Sequence, residues 1–395
     1  MTPPNLTSAP VGESTERPPD PTPKTKWPRY VEAVIGYSEH WYPAAFSDEL
    51  EEGGVVAVTL LGKNILLTRT DGQARAISDR CAHRGVKFSA KPLCLKKDTV
   101  TCWYHGWTYD LEDGQLIDIL TSPGSSTIGQ VTIPVYATEE AKGIIFVFVG
   151  EAEPHPLRAD VPPGFLDPDT YVRGIRRRVQ SNWRLGAENG IDNTHAFIHR
   201  DSPLIPGNNL ALPLGLVASA GHDHRASTTV VNNKDEWPKG VIDHFGDGAY
   251  LPVFDAKIKG ETVLSYLPQP GAKRVVNTLS LWLPCAIKVD PWPDPALISY
   301  EFYVPVNKSE HEYFQLIQSK VSSESDIENF CREFEDRWTD LALHGFNDDD
   351  VFAREATEEF YADGNGWRDE HLFGPDHSIV RWRQLCSKHG REIAR

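Results

Sequence analysis

Two short segments of the sequence each combine one cysteine with one histidine. Cys81 and His83 follow the pattern C-x-H, whereas Cys102 and His105 follow the pattern C-x2-H, and a glycine comes soon after each pair. One thiolate and one imidazole from each segment can bind a shared metal centre, and the glycine lets the backbone approach it closely. Because both segments must converge on one compact centre, they constrain the fold more than any other feature of the chain.

Two kinds of metal centre use two cysteines and two histidines. Structural zinc sites of this composition usually present a cysteine pair and then a histidine pair. Here each segment mixes the two ligand types, as a [2Fe–2S] cluster requires when one iron takes two cysteines and the other takes two histidines. Zinc is the alternative. The remaining cysteines lack ligand spacing, and we expect buried thiols at Cys94, Cys285, Cys331 and Cys386.

A second group of candidate ligands lies near the middle of the chain. His195 and His199 stand at positions i and i+4, so on a helix they share one face and can bind one metal ion. Asp192 precedes His195 by about one helical turn and is placed to orient it. A histidine pair alone is more often part of a surface or a core. An electron-transfer centre upstream needs an acceptor, however, which favours a second metal site.

The distribution of prolines, acidic residues and apolar runs predicts two domains after a tail. Residues 1–28 are rich in proline, threonine, serine and glutamate, and we expect a disordered tail there. The proline-rich and acidic stretch 151–163 indicates a domain boundary. We therefore expect a small all-β domain at 29–150 and a larger α+β domain at 151–395.

Local patterns predict the individual elements. Runs of branched and apolar residues predict strands at 55–61, 65–69, 74–78, 144–148, 275–289 and 297–304. Helical spacing predicts helices at 184–200, 325–343 and 349–361, the last with aspartates at its start, where the helix dipole favours them.

Composition excludes several classes of function. The chain has 40 basic and 56 acidic residues and a net charge of −16, which disfavours nucleic-acid binding. Its apolar runs are far shorter than the roughly 18 residues of a membrane span. A signal-peptide pattern is also missing, so a cytoplasmic location is predicted. Six cysteines among 395 residues are too few for a disulfide scaffold.

At the two cysteine–histidine segments the chain resembles the Rieske family, whose motifs CxHRG and CxYHGW are matched residue for residue. In respiratory-chain Rieske proteins each motif carries an extra cysteine, and the two form a disulfide; Val86 and Tyr104 stand at those positions here. This departure implies the oxygenase or ferredoxin branch. The cluster ligands that the resemblance implies are Cys81, His83, Cys102 and His105.

The central segment resembles the mononuclear-iron motif of the Rieske non-haem iron oxygenases, E/D-x3-D-x2-H-x3–5-H. Those enzymes bind Fe(II) through two histidines and one carboxylate, which leaves coordination positions for O₂. The resemblance implies His195 and His199 as ligands and Asp350 as the third, although three consecutive aspartates occupy 348–350. It also implies that the catalytic domain has a helix-grip fold of the Bet v1-like or START-like type.

The resemblance further implies an aromatic-ring dioxygenase with O₂ as co-substrate. Its electrons come from NAD(P)H through a ferredoxin reductase and a ferredoxin. In this family a head-to-tail homotrimer brings the cluster of one subunit beside the iron of the next. Asp192 then has a catalytic role, because it links His195 to His83 or His105 of the partner subunit. Further segments resemble a member that forms a homotrimer without a second type of subunit: 40–43, 102–109, 118–121, 210–215 and 345–356.

Two further sets of residues are candidates for binding. The predicted substrate contacts are mostly apolar or small, which suits a flat aromatic ligand: Gly190, Ile191, Ala196, Leu279, Ile287, Trp292 and Phe346. Because ferredoxins are often acidic, the basic residues between the two cluster motifs are the predicted docking contacts: Arg84, Lys87, Lys91, Lys96 and Lys97.

Two other functions share part of this pattern. Rieske monooxygenases that demethylate aromatic ethers carry both motifs, and their product differs from a diol. A pure electron carrier with an inert second domain would hold the cluster alone, so the iron content per chain distinguishes it from an oxygenase.

Overall fold

The computed structural model describes residues 26–233, 237–246 and 250–395. The predicted tail, 1–28, lies outside these ranges except for its last residues. Among those, Trp27 is buried and Pro28 begins a helix. Within the described ranges, every helix is too short or too polar to cross a membrane.

The N-terminal part of the chain folds into antiparallel strands. Their bounds are β1 Trp41–Phe46, β2 Val55–Leu60, β3 Lys63–Thr70, β4 Gln73–Ser78, β5 Thr99–Thr101, β6 Trp107–Asp110, β7 Leu116–Ile119, β8 Val135–Ala141 and β9 Ile144–Phe148. Six of them form a sheet in the order β1-β9-β8-β4-β3-β2, and a three-stranded sheet has the order β5-β6-β7. The predicted all-β character of this part is confirmed.

The C-terminal part combines a large sheet with helices. Its strands are β10 Thr170–Val179, β11 Leu210–Ala211, β12 Gly215–Ala218, β13 Thr229–Val231, β14 Gly240–Phe245, β15 Tyr250–Val253, β16 Asp255–Ile258, β17 Glu261–Ser265, β18 Lys273–Arg274, β19 Asn277–Trp282, β20 Ala286–Asp290, β21 Leu297–Asn307 and β22 Glu310–Lys320. The main sheet has seven strands in the order β10-β22-β21-β20-β19-β14-β13. The other strands pair two by two, as β11-β18, β12-β15 and β16-β17.

The helices pack on this sheet and on one another. They are α1 Pro28–Glu32, α2 Trp183–Ile191, α3 Leu204–Gly207, α4 Glu324–Glu333, α5 Asn347–Tyr361, α6 Gly366–Asp369 and α7 His377–His389. The α2 helix contacts β19, β20 and β21, α7 contacts β14, and α5 packs against α2. The predicted α+β class is confirmed, with helices packed on a seven-stranded antiparallel sheet.

Three predicted elements are divided or change their helix type in the structure. The helix predicted at 184–200 consists of α2 and a separate 3-10 helix, Asn193–Asp201, because Asp192 adopts an extended conformation between them. The helix predicted at 325–343 continues from α4 into a π-helix, Phe334–His344. The strand predicted at 275–289 is divided into β19 and β20, with Pro284, which has no N–H to donate to a sheet, in the connection.

The two parts of the chain share one core. The apolar strand β9 is buried along its whole length, and Phe146 packs edge-on against Phe302 of β21 at a centroid distance of 6.2 Å. The segment before β1 also packs on the C-terminal part: α1 contacts α7, and Tyr30 packs against Trp183. The predicted domain limits, 29–150 and 151–395, stay a prediction.

A buried charged cluster ties the two parts together. His40, just before β1, places Nδ1 2.8 Å from Oδ1 of Asp160, which lies in the segment between the sheets. The Trp41 backbone N–H donates to Asp160 Oδ2 at 2.9 Å, and Arg391 Nη2 donates to the same oxygen at 2.7 Å. The Arg391 backbone N–H donates to His40 Nε2 at 3.1 Å. Although burial opposes ionisation, His40 and Arg391 lower the pKa of Asp160.

We predict that Asp160→Asn destabilises the protein by about 3 kcal/mol, because it removes one partner of a buried charged cluster and leaves the others unpaired. Chemical denaturation followed by far-UV circular dichroism measures the change. Glu261→Gln, at an exposed position on β17, is the matched control and should leave the free energy of unfolding within about 0.5 kcal/mol of the wild-type value. Equal stability of the two variants would show that the cluster does not hold the two parts together.

Candidate metal centres

The two predicted cluster cysteines are buried at the base of neighbouring loops. Cys81 follows β4 and Cys102 follows β5. Burial raises the pKa of the Cys102 thiol, whereas the backbone N–H groups of Tyr104 and His105, which point at its sulfur, lower it. The Tyr109 hydroxyl lies 3.5 Å from Cys81 Sγ. Donors of this kind stabilise a thiolate and tune the potential of a cluster bound to it.

Each loop is closed by the glycine that follows its histidine. The Gly85 N–H donates to the Cys81 carbonyl at 2.8 Å, and the Gly106 N–H donates to the Cys102 carbonyl at 2.9 Å. Both glycines have positive φ, +69° and +67°, which disfavours other residues. A Cβ at Gly106 would also lie 2.8 Å from the Leu120 side chain. The two loops therefore have the same tight geometry.

The two predicted cluster histidines lie at the outer ends of the loops. The His83 ring is 4.6 Å from the His105 ring between centroids, and it stacks on Trp107 at 4.9 Å with an angle of 5°. His83 is exposed, while His105 is half-buried beside Tyr104. Two buried thiols below two outward imidazoles fit a [2Fe–2S] cluster whose histidine-ligated iron faces the surface.

The second site begins where α2 ends. Asn182 caps the start of α2 by accepting a hydrogen bond from the Arg184 N–H at 3.1 Å. After Ile191, Asp192 Oδ1 accepts hydrogen bonds from the backbone N–H and the hydroxyl of Thr194, at 2.8 and 2.7 Å. Asp192 therefore caps the 3-10 helix that carries both histidines.

His195, His199 and Asp350 converge as one cluster. Asp350 Oδ1 lies 3.6 Å from His195 Nε2 and 3.4 Å from His199 Nε2. One ligand atom from each of the three lies within 4.8 Å of the others. Burial disfavours the charged form of Asp350, but the two histidines hold its pKa well below the usual range. Two imidazoles and one ionised carboxylate facing a common point are the ligand set of a facial triad.

Unsatisfied polar atoms at this point support a metal ion. Both His199 Nε2 and Asp350 Oδ1 are buried, and neither has a hydrogen-bond partner of acceptable geometry among the described residues. Buried polar atoms normally have partners, so two such atoms facing one another need a third group between them. A metal ion bound by both satisfies this requirement.

The partners that orient the histidines differ partly from the prediction. His195 Nδ1 donates a hydrogen bond to the backbone carbonyl of Asp192, so it is the backbone of Asp192, and not its carboxylate, that orients this ring. His199 Nδ1 lies 3.2 Å from Asp349 Oδ2. Asp349 is therefore more than an acidic helix start, whereas Asp348 points away and pairs with Arg177. In both histidines Nε2 is left to face the metal position.

A buried polar network lies behind Asp350. Arg354, one turn further along α5, donates from Nε to Asn189 Oδ1 on α2 at 2.6 Å. Its guanidinium lies 4.5 Å from the Tyr313 ring centroid and 3.7 Å from Glu301 Oε2. The sequence analysis missed Arg354, although its i+4 spacing from Asp350 places both on one helix face. The sequence analysis also missed Glu301 on β21, because its contact with α5 leaves no local signal in the sequence.

A mostly apolar cavity adjoins the triad. All predicted substrate contacts except Ile191 line it: Gly190, Ala196, Leu279, Ile287, Trp292 and Phe346. Ile191 does not line this cavity and is fully buried in the shared core. Lining residues that the sequence analysis missed are Leu212, Phe245, Val275, Asn277, Val289, Glu301, Asn347 and Arg354.

The predicted docking residues lie around the cluster loops. Arg84, Lys91, Lys96 and Lys97 are exposed, and Lys87 is half-buried, with its carbonyl accepting a hydrogen bond from Trp103 Nε1 at 2.9 Å. Lys97 pairs with Asp71 on the surface.

Comparison with known proteins gives the same two parts. Residues 40–136 match the Rieske [2Fe-2S] domain, and residues 148–394 match the homotrimeric ring hydroxylases. The terminal oxygenase component of carbazole 1,9a-dioxygenase from a Sphingomonas species is 49% identical to this chain over 93% of it and 95% of the relative.

Solved structures agree with this similarity. The terminal oxygenase of carbazole 1,9a-dioxygenase from Nocardioides aromaticivorans is 56% identical, with a TM-score of 0.89, and the match covers 94% of this chain and 99% of that one. The oxygenase in a reduced complex with ferredoxin, also of carbazole 1,9a-dioxygenase, is 45% identical with a TM-score of 0.89, and the match covers 93% of both chains.

We predict that Asp349→Asn weakens iron binding at the triad about ten- to a hundredfold, because the His199 ring loses its charged partner. The rate of iron loss to a chelator, followed by metal analysis, measures this effect. Asp348→Asn is the matched control, since Asp348 faces Arg177 and the substitution should not change iron retention.

Asp350→Ala should remove this iron altogether while the visible spectrum of the cluster survives. Loss of both signals in that variant would instead indicate general unfolding.

Proposed function

The chain belongs to the Rieske non-haem iron ring-hydroxylating oxygenases, and we propose that it is the terminal oxygenase of a carbazole 1,9a-dioxygenase. It dihydroxylates carbazole at the angular 1 and 9a positions, and the product opens to 2′-aminobiphenyl-2,3-diol. The observation that carries this proposal is the apolar cavity next to the triad, in a chain that matches carbazole oxygenases over nearly its whole length. We place this reaction in the cytoplasm, where NAD(P)H is available.

The residues of the two centres fit the cofactors of this family. Cys81, His83, Cys102 and His105 hold the [2Fe–2S] cluster, and His195, His199 and Asp350 hold a mononuclear Fe(II). When bound, the cluster supplies single electrons and the Fe(II) activates O₂ for attack on an aromatic ring. The chain's own contribution is to bind the substrate, orient the ligands and exclude water.

The cavity walls position a flat ring system. Phe346 stacks on His199 at a centroid distance of 3.6 Å, and Trp292 packs against Phe346 at 4.9 Å, so an aromatic wall lies directly beside one metal ligand. Gly190 faces this space near the end of α2. A Cβ at Gly190 would lie 2.5 Å from the Tyr303 hydroxyl and 2.8 Å from Ile287 Cδ1. Glycine is therefore required for the backbone to line the cavity at this point.

A backbone acceptor at Gly190 explains angular regiochemistry. The last carbonyls of a helix have no intrahelical partner, and α2 ends one residue after Gly190. The Gly190 carbonyl is thus placed to accept the carbazole N–H. This contact brings the carbon bonded to nitrogen, and its neighbour, toward the triad.

Asp192 lies where a neighbouring subunit can reach it. Its Oδ1 is used by Thr194, while its Oδ2 makes no hydrogen bond within the described part of the chain. Asp192, Thr194 and His195 line an open surface depression, with the half-exposed Phe197 on its wall. In a head-to-tail trimer this carboxylate links His195 to His83 or His105 of the partner subunit.

The tip of the cluster loops supplies a matching surface. Trp103, Tyr104 and Leu120 are exposed around the two histidines, which is unusual for large apolar side chains unless another protein covers them. The ferredoxin, itself reloaded by an NAD(P)H-dependent reductase, docks beside this tip. Its predicted contacts are the basic residues Arg84, Lys87, Lys91, Lys96 and Lys97.

Incubation with carbazole, O₂ and a reconstituted ferredoxin and reductase tests the proposal, and mass analysis should identify 2′-aminobiphenyl-2,3-diol. The holoenzyme should contain about three Fe and two sulfide per chain, against two Fe for an electron carrier. Formaldehyde released from aryl methyl ethers, without diol from carbazole, would assign the chain to the demethylating monooxygenases.

Dibenzofuran lacks the N–H and therefore tests the Gly190 contact. If dibenzofuran bound with the same affinity and were attacked with the same angular preference as carbazole, this contact would not determine the regiochemistry.

We predict that Asp192→Asn retains both metals but reduces turnover about a hundredfold or more, because the carboxylate between the subunits is lost. Single-turnover assays with the pre-reduced cluster separate electron transfer from substrate binding. Asp201→Asn, at the exposed end of the same 3-10 helix, is the control and should behave as the wild type. Full metal content with wild-type turnover in Asp192→Asn would contradict this role.

A further inference from the structure

One polar side chain lies among apolar residues at one end of the substrate cavity. Asn277 is 9% exposed, and its Oδ1 is buried without a hydrogen-bond partner among the described residues. A buried amide that lacks a partner destabilises the fold, and groups of this kind are rare enough to need an explanation. The proposed reaction does not use this amide.

The strand geometry directs Asn277 into the cavity. Side chains alternate along β19, and both Asn277 and Leu279 line the cavity. Thr278, between them, faces the other side, where its hydroxyl lies 3.3 Å from His244 Nδ1. Phe245 is directly opposite Asn277 on β14 and lines the cavity as well. The amide is therefore part of the wall that a bound molecule touches.

Asn277 and Gly190 mark opposite ends of the cavity. Ile287 lies against Gly190 and pairs with Leu281 on β19. Leu281 is four residues from Asn277, a separation of about 13 Å along the strand. A tricyclic ligand whose N–H lies at Gly190 extends its outer, unattacked ring toward Asn277.

We propose that Asn277 binds a hydroxyl group on the outer ring of the substrate, so that ring-hydroxylated carbazoles are a further substrate class of this enzyme. The inference rests on the proposed function. A hydroxyl both donates and accepts, so it satisfies the amide whichever of its two polar atoms faces the ring. A carboxylate would instead bring an unpaired charge among Phe245, Val275 and Leu279.

The reaction on this class is the same angular dioxygenation. O₂, two electrons from the ferredoxin and two protons add two hydroxyls to adjacent carbons of one ring. The hydroxyl on the outer ring takes no part in the reaction and is retained in the product. The bond between nitrogen and the newly hydroxylated carbon of this hemiaminal then breaks, the hydroxyl proton passes to nitrogen, and the attacked ring regains its aromaticity. The product is an aminobiphenyl triol, with the third hydroxyl on the ring that carries nitrogen.

The test compares the monohydroxycarbazoles, one by one, with carbazole in the reconstituted holoenzyme. For at least one of them, we expect mass analysis to show dihydroxylation of the ring without the hydroxyl. In Asn277→Leu, kcat/KM for that hydroxycarbazole, divided by kcat/KM for carbazole, should fall about tenfold. This is the effect of losing one buried hydrogen bond. Asn277→Ser keeps a short polar group and should give an intermediate ratio.

Thr278→Val is the matched control, because Thr278 is adjacent on β19 but faces away from the cavity, and it should keep the wild-type ratio. Calorimetric titration of the holoenzyme gives the same ratios as affinities, so the role of Asn277 is tested even if carbazole itself is not oxidised. An unchanged ratio in Asn277→Leu would overturn the inference, as would an equal fall in Thr278→Val. Iron and sulfide contents of every variant show that the fold is intact.

Discussion

The break between α2 and the following 3-10 helix determines the geometry of the catalytic site. Asp192 lies in this break, with its backbone extended, so its carbonyl can accept from His195 while its side chain caps Thr194. In a continuous α-helix that carbonyl would point along the helix axis toward the N–H four residues on, whereas here it accepts both the backbone N–H and the imidazole of His195. The other carboxyl oxygen makes no hydrogen bond within the described part of the chain. A single residue thus orients a metal ligand with its backbone and caps the helix that carries this ligand with its side chain.

The third ligand arrives from a different element, and buried polar contacts keep the two together. Arg354 on α5 donates to Asn189 on α2, and Asp349 on α5 contacts His199, so α5 is tied to both helices that precede and carry the histidines. Asn347 extends the same network by donating to Glu301 at 3.1 Å. Taking these groups out of water is costly, and such networks favour one precise arrangement more than they favour stability. Precision is what an open-sided metal site needs, because its coordination positions must face the substrate.

Much of this architecture can be predicted from local sequence patterns, whereas contacts between distant segments cannot. Four strands of the N-terminal part, β2, β3, β4 and β9, and both ligand motifs follow from spacing within about ten residues, and spacing is visible in a sequence. The different roles of Asp349 and Asp350 are not visible in the sequence, because consecutive residues on a helix differ only in the direction they face. The different positions of Gly190 at the cavity and Ile191 in the core have the same origin. Glu301 and Asn277 acquire their roles through strand pairing and tertiary packing, which alternation of apolar residues does not reveal.

The cluster of His40, Asp160 and Arg391 affects the order in which the chain can fold. The contact between Arg391 and His40 joins positions 351 residues apart, so it forms only after almost all of the described chain has been synthesised. The strands of the N-terminal part pair among themselves, so their two sheets contain no residue beyond Phe148. Their attachment to the rest of the molecule must wait, and contacts this distant in sequence are slow to form. The contacts of Arg391 with His40 and Asp160 are therefore among the last that become possible during synthesis of the protein.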